Sequence, residues 1–536
     1  MDTLKLTEKE EQIFRRLLDV VDHFDLGTQL RVAGGWVRDK LLGEESTDID
    51  IALDNMTGKN FCAKFIEYTK LIGEEQKKPH VCSRNPDRSK HLETASMFMF
   101  GIRIDFVNLR SEKYVESSRI PTMEIGTAKE DAYRRDLTIN SLFFNINNNS
   151  VEDFTGRGTD DLKKGLIVTP LPAKDTFLDD PLRVLRAIRL AARFDFTLSN
   201  ELKEGASDDK VKSDFGRKIS RERVGKEVDL MVSGRRPVKA LSYICDLGLF
   251  SVAFDFPEQS DPPIFVNCDR CCVSHIEAAW NLAVHSGDDN ILPDEELWLY
   301  LYAALFFPLR KMVCLDKKSK EMSVTRYIIQ ESLRLKGYDA VSVVNIHAAS
   351  GTFAELVHLF ESNVASGTLK DKLEDTYLDI PKDTLKRVCA VIFWTITCDT
   401  EHSGLVLDEI KGLWRVALLI SIVSYPEAEN PGDVLSQQDE LHRRKEKYIK
   451  VERFITDQGE VNDGLDGVWM WKPLLNGKDI MRVMQLNSGP LISEWVRPLK
   501  KRVFKWQLAH PKGTIDDCID WMKKAQRKHQ KVESLH

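Results

Sequence analysis

The sequence predicts an α+β protein in which a small mixed sheet with helices comes first and an all-α region follows. Segments with the two-residue alternation of strands lie between residues 29 and 153, whereas from Asp179 onward the pattern is almost wholly helical. A length of 536 residues leaves room for two to four packed units, each with its own core.

The elements follow in order. Thr7 and Glu10 make a capping box ahead of Ile13, Phe14, Leu17, Leu18, Val21 and Phe24, so the chain opens with an amphipathic helix. Residues 29–33 read as a strand, which Gly34-Gly35 breaks into a short helical turn through residue 42. Residues 48–53 alternate strictly, residues 96–100 and 102–109 read as two strands around Gly101, and 142–146 with 151–153 suggest another pair. Residues 111–129 are polar and read as a surface loop that includes Glu116, Arg119 and Pro121. Breaks rich in proline and acid at 256–263 and 425–433 divide the chain into residues 1–165, 166–255, 256–430 and 431–536. The longest apolar run, 297–309, is too short to cross a bilayer and reads as a buried helix.

Hydrophobic residues make up 42% and charged residues 30%, a globular balance that excludes wholesale disorder. The net charge of -7 means that any nucleic-acid site must be a local patch. Arg497, Lys500, Lys501, Arg502 and Lys505, beside Phe504 and Trp506, form such a patch, and Lys523, Lys524, Arg527, Lys528 and Lys531 follow; a solvated helix face is the plainer alternative. Ten cysteines lie without a regular framework, and the N-terminus has neither an apolar signal core nor an arginine-rich, acid-poor character. Reduced thiols in an intracellular compartment are therefore expected, with no disulfides. Cys268, Cys271, Cys272 and His275 lack the second half of a zinc site and read as structural thiols.

Because strand side chains alternate, Asp48 and Asp50 leave one face of one strand while Ile49, Ile51 and Leu53 enter the core. Two hard carboxylates on a rigid support suit Mg2+ that also takes phosphate oxygens and water. Asp105, on a neighbouring candidate strand, supplies a third acid. An isolated D-x-D more often solvates a sheet face, but Gly34, Gly35 and Arg38 precede this one, offering backbone N–H groups and a guanidinium to a triphosphate. Downstream, Arg183, Arg186, Arg189 and Arg193 line one side of an otherwise apolar helix, so acidic partners or phosphates should face them.

Arg31-Val-Ala-Gly-Gly-Trp-Val-Arg-Asp39 through Asp48-Ile-Asp50 resembles the first signature of the class II tRNA nucleotidyltransferases, members of the polymerase-β-like superfamily. Arg134-Arg-Asp-Leu-Thr-Ile-Asn140 resembles the second, Asp179-Asp-Pro-Leu-Arg183 the nucleotide-selecting one, and Ile219-Ser-Arg-Glu-Arg223 the helix-stabilising one. The resemblance is closest to the eukaryotic, fungal type and covers roughly residues 25 to 235 by motif. It implies a polymerase-β-like catalytic head, then a helical neck, body and tail in the four ranges above.

It further implies that CCA is added to the tRNA 3' end from CTP and ATP with release of pyrophosphate, with Mg2+ held by Asp48 and Asp50 and with Asp105 as third acid. Arg134, Arg135, Asp136 and Asn140 would hold ribose and phosphates, and Asp180 with Arg183 would read the base, with Asp179, Arg186 and Arg223 beside them. Asp179 stands where many relatives carry Glu. Residues 473–479 and 489–490 resemble the family's tRNA-binding tail. The chain is expected to act as a monomer, without a membrane, in cytoplasm, nucleus or mitochondrion. Addition of CC only, of A only or of poly(A), and tRNA binding without catalysis, remain the alternatives.

Overall fold

The computed structural model describes residues 4–74, 79–82, 94–115, 118–283, 292–362, 410–423, 437–456, 473–485, 496, 499–500, 502–504, 506–507, 510 and 513–533. The described chain forms two compact units, one of residues 1–255 with 332–334, the other of residues 256–331 with 335–536.

The first unit begins with helix α1 (Glu8–His23), whose Thr7 cap and Glu10 exchange hydrogen bonds as a capping box. Its buried Ile13, Phe14, Leu17, Val20 and Val21 form the stripe that amphipathic spacing requires, and Phe14 meets Trp36 and Phe144. Strands β1 (Leu30–Ala33), β2 (Ile49–Leu53), β3 (His80–Cys82), β4 (Thr94–Met99) and β5 (Ile102–Asn108) join β8 (Leu142–Asn145) and β9 (Ser150–Asp153) in one seven-stranded sheet. The order is β3-β4-β5-β2-β1-β8-β9; β2 and β5 run parallel and every other neighbour antiparallel. Val32, Ile51, Leu53, Ile104 and Phe106 are fully buried on the core face. Helices α2 (Gly35–Leu41), α3 (Gly58–Leu71), α4 (Ala128–Tyr133) and α5 (Gly158–Lys164) complete the head of this unit.

Two local expectations change. Asp48 lies just before β2 rather than in it. The segment read as a loop is largely a hairpin, β6 (Arg110–Val115) with β7 (Ser118–Ile125), hydrogen-bonded apart from the main sheet. Arg110–Val115 is mostly polar and Pro121 interrupts Ser118–Ile125, so the sequence shows no strict apolar–polar alternation of a half-buried strand there.

Helices α6 (Ala173–Asp179), α7 (Leu182–Phe194), α8 (Asn200–Ser207), α9 (Asp209–Lys218), α10 (Arg221–Val232) and α11 (Pro237–Asp246) follow, with one short parallel ladder between Leu166–Ile167 and Thr197–Leu198. Every apolar residue of α7 from Leu182 to Ala192 is buried, and its arginines hold the remaining positions.

The second unit is mainly helical, with helices at Cys268–Ala283, Asp294–Phe306, Gly337–Ser362, Trp414–Val423 and Gln437–Thr456 and one small hairpin, Val313–Leu315 with Glu321–Ser323. Residues of the predicted apolar run form the buried end of Asp294–Phe306 and a following 3-10 turn. Its last portion packs Leu475, Ile480, Val503, Trp506, Cys518 and Met522 into a separate cluster. Among the described residues no helix is long and apolar enough to cross a membrane.

Candidate active site

Three strands bring the acids together. In the parallel β2–β5 pair Asp50 lies directly opposite Asp105, so both side chains leave the same sheet face. Antiparallel β1 places its Ala33–Gly34 end beside the Asp48–Asp50 end of β2. Asp48 is exposed, Asp50 and Asp105 are half-buried, and Arg103 donates through Nε to Asp105 at 3.0 Å. Burial, then the charges of Asp48 and Asp105, push the Asp50 carboxyl up to about 6, against the pull of Arg135 and Arg110. Like charges held that closely are what a divalent cation would relieve. Among the described residues no three His, Cys, Asp or Glu side chains form a closed cage. The open pair still fits a hard cation that completes its shell with water and phosphate oxygens.

Gly34 turns the chain out of β1 at φ +80°, and its N–H donates to Leu142 O at 3.0 Å. The positive φ requires glycine, and a Cβ there would in addition come within 2.7 Å of Arg135 Nη1 and press on that side chain. Gly35 opens α2.

Arg38, read as a triphosphate ligand, is instead buried and occupied. Nε and Nη2 donate to Asp39, Nη1 donates to Asn140 Oδ1, and the guanidinium lies 4.8 Å from the Phe194 ring centroid. Burial lowers its pKa despite Asp39. Asn140 passes the connection on through Nδ2 to Asp136 Oδ1 at 3.0 Å. Asp136 also accepts from Leu137 N at 3.0 Å and from Arg186 Nε at 2.7 Å. Burial alone would raise Asp136, but Arg186, the Asn140 hydrogen bond and Arg183 hold its carboxyl well below the usual range.

Arg134 and Arg135 converge on Asp131, a buried residue that the sequence reading did not single out. Arg134 Nε and Nη2 donate to one carboxylate oxygen at 2.9 and 2.6 Å, and Arg135 Nε and Nη2 to the other at 2.9 and 2.7 Å. Arg110 N adds a fifth donor at 3.0 Å. Arg134 Nη1 also reaches Glu112 on the hairpin at 3.0 Å, and Arg135 Nη1 reaches Asn140 O at 3.3 Å. The one sequence signal for Asp131 was its spacing, three and four residues before the two arginines on a helix.

The half-buried arginines of α7 meet acids, as expected from the sequence. Arg186 meets Asp136, Arg189 Nε meets Glu227 at 2.7 Å, and Arg193 Nη2 meets Glu44 at 2.9 Å and Asp39 at 3.5 Å. Arg183 Nη2 donates to Arg134 O at 2.9 Å and lies 3.9 Å from Glu112. Asp180 ends α6 in an extended conformation; its Oδ1 accepts from Leu182 N and its Oδ2 from Arg223 Nη2, both at 3.2 Å. Arg223 Nη1 is buried with no hydrogen-bond partner, and burial raises the pKa of Asp179 against the nearby Arg183 and Lys218. The predicted residues from Gly34 to Arg223 thus lie in one unit, where hydrogen bonds link Arg38, Asn140, Asp136 and Arg186, and separately Asp131, Arg134, Arg135 and Arg183.

The predicted basic patch lies in the other unit. Lys500 and Arg502 are exposed there, just before buried Val503 and Phe504, while Arg497, Lys501 and Lys505 lie outside the described residues. Cys271 and His275 sit one turn apart on their helix, with His275 Nδ1 2.9 Å from Cys271 O, and burial lowers the His275 pKa.

Residues 30–168 match the Poly A polymerase head domain. The mitochondrial CCA tRNA nucleotidyltransferase of Saccharomyces cerevisiae is 32% identical over 97% of this chain and 93% of its own length. Nucleotidyltransferase lcsQ of Purpureocillium lilacinum is 38% identical over 96% and 90%. Among solved structures, the Thermotoga maritima CCA-adding enzyme complexed with tRNA shares the fold at a TM-score of 0.54, with 18% identity, 96% of this chain and 95% of that one covered. With more than 30% identity sustained along nearly its whole length, this chain belongs to the tRNA nucleotidyltransferase family of CCA-adding enzymes.

Proposed function

We propose that the protein adds CCA to the 3' end of tRNA from CTP and ATP, releasing pyrophosphate, with Mg2+ held by Asp48 and Asp50. The observation that carries this reading is the crowding of Asp50 between Asp48 and Asp105, beside a turn at Gly34 that only glycine can make. Mg2+ bound there would stabilise charge on the attacking and departing oxygens of in-line transfer at the α-phosphate. Asp105 would complete the acidic face.

The protein groups would position the substrates. The turn at Gly34 and Gly35 admits a triphosphate close to the backbone. Arg186 can donate to phosphate, because among the described residues it spends only Nε on Asp136, and Arg135, held by Asp131 and Asn140 O, would offer the second N–H of each terminal nitrogen. Arg38 would act one step back, fixing Asn140 and through it Asp136. Asp131 and Glu112 would hold Arg134, whose carbonyl in turn orients Arg183.

Asp180 can accept from the exocyclic amine that cytosine and adenine share, and Arg183 can donate to their ring acceptors; guanine and uracil present an acceptor where the amine should be. Asp179 and Arg223 flank this pair. Lys500 and Arg502, with Arg497, Lys501 and Lys505, would hold tRNA phosphates. Head, neck, body and tail would divide at residues 165, 255 and 430. Action as a monomer, and a place in mitochondrion, cytoplasm or nucleus, complete the proposal.

The test supplies purified protein with tRNAs ending before CCA, after C and after CC, with labelled CTP or ATP separately, in Mg2+ and in EDTA. Full CCA addition extends the first with CTP and the last with ATP. A CC-only, A-only or poly(A) product pattern, or transfer undiminished in EDTA, overturns the reading.

A further inference from the structure

We propose that Lys218 is a positioning residue for base selection, its ammonium holding the turn that presents Asp180 and Arg183. This rests on the function proposed above.

Helix α6 stops at Asp179, directly before the turn, and its last carbonyls need donors from outside the helix. The carbonyl of Leu178 would ordinarily be bonded by the N–H of residue 182. That N–H is diverted to Asp180 Oδ1, and Pro181 has none to give. Lys218 Nζ supplies the missing donor, at 2.8 Å from Leu178 O. It also pairs with Asp214 at 3.0 Å, and the two side chains are only 4% and 6% exposed.

A lysine withdrawn this far from water requires compensation, which one carboxylate and one helix-terminal carbonyl provide. No other side chain in the described network bonds the Leu178 carbonyl. Two residues later Asp180 is held by Arg223, so slack at Leu178 would reach, within two residues, the carboxylate proposed to read the base.

The arginines proposed to meet phosphate and the acids proposed to hold metal are held by other contacts: Asp131 for Arg134 and Arg135, and the sheet register for Asp50 and Asp105. Loss of Lys218 should therefore blur the choice of base more than it slows transfer. A residue that merely stabilised the fold would lower the melting temperature and leave the choice of base alone.

The experiment uses the full chain as wild type, Lys218→Met and Lys174→Met, plus the double variant Lys218→Met, Asp214→Leu, which removes the buried pair without stranding a charge. Lys174 makes an exposed ion pair with Asp208 near the other end of α6 and controls for general loosening of that helix. The readout is kcat/KM for CTP against UTP on a tRNA lacking CCA, beside thermal unfolding.

Loss of the charge-assisted hydrogen bond should cut CTP-over-UTP discrimination roughly tenfold in both Lys218 variants, with kcat for CTP within about threefold of wild type. Lys174→Met should discriminate as wild type does. Undiminished discrimination in a folded Lys218 variant, single or double, overturns the inference, as does equal loss in Lys174→Met. A wild-type chain that transfers no nucleotide overturns the proposed function itself, a distinct result.

Discussion

Replacing Asp50 with Asn should abolish transfer and yet stabilise the metal-free fold. The folded-state pKa of about 6, against an ordinary 3.8, means that burial and two like charges oppose ionisation of Asp50. Two units at about 1.4 kcal/mol each set an upper limit near 3 kcal/mol at neutral pH. Water reaching the half-buried carboxylate screens part of this, so about 1–2 kcal/mol is expected. For a unit of this size that is a rise in melting temperature of roughly 2–8 °C.

The sign follows from linkage. An acid raised in the folded state costs nothing below about 3.8, and its contribution becomes progressively more destabilising as pH climbs through about 6. The advantage of Asp50→Asn should therefore be near zero at pH 3.8, open between there and about 6, and stay constant above. Thermal unfolding in EDTA at several pH values measures it, and added Mg2+ should raise the melting temperature of wild type more than that of the variant. An Asp50→Asn protein that melts at or below wild type at neutral pH, or whose difference ignores pH, refutes the argument.

Gly34→Ala combines a left-handed backbone with a contact on Arg135, at about 1–3 kcal/mol of strain; kcat/KM should fall at least tenfold with the fold retained by circular dichroism. Asp131→Asn strands two partly buried guanidinium groups and should cost about 3–5 kcal/mol, read as a lowered denaturation midpoint. Asp136→Asn should raise KM for both nucleotides, because Arg186 loses its charged partner; steady-state kinetics with CTP and ATP checks this. Lys500→Ala with Arg502→Ala should weaken tRNA binding and reduce the slope of log K against log salt by about 1.4–1.8, measured by filter binding across a salt series.

Features that depend on neighbours in sequence were legible in advance. The Thr7–Glu10 capping box, the alternation around Asp50 and the two-glycine break each depend on a few consecutive residues, and each is present. The order of four signatures also sufficed to indicate the family. Contacts closed by the tertiary fold were not legible. Glu112 and Lys218 acquire their contacts to Arg134 and Leu178 only when segments far apart in the chain converge, whereas Asp131 was marked only by its spacing to Arg134 and Arg135. Arg38 shows the converse: its spacing after the glycines suits a phosphate ligand, and nothing local foretells that its guanidinium meets Phe194, Asp39 and Asn140.

Helix α7 answers to four different carboxylate-bearing segments along its length, so its register is as constrained as its composition. Inserting or deleting one residue midway would rotate everything beyond it by about 100° and displace it about 1.5 Å along the axis, parting every downstream pair at once. Relatives of this chain can be expected to vary freely in the identity of the apolar residues between Leu182 and Arg193, yet to tolerate no change in their number.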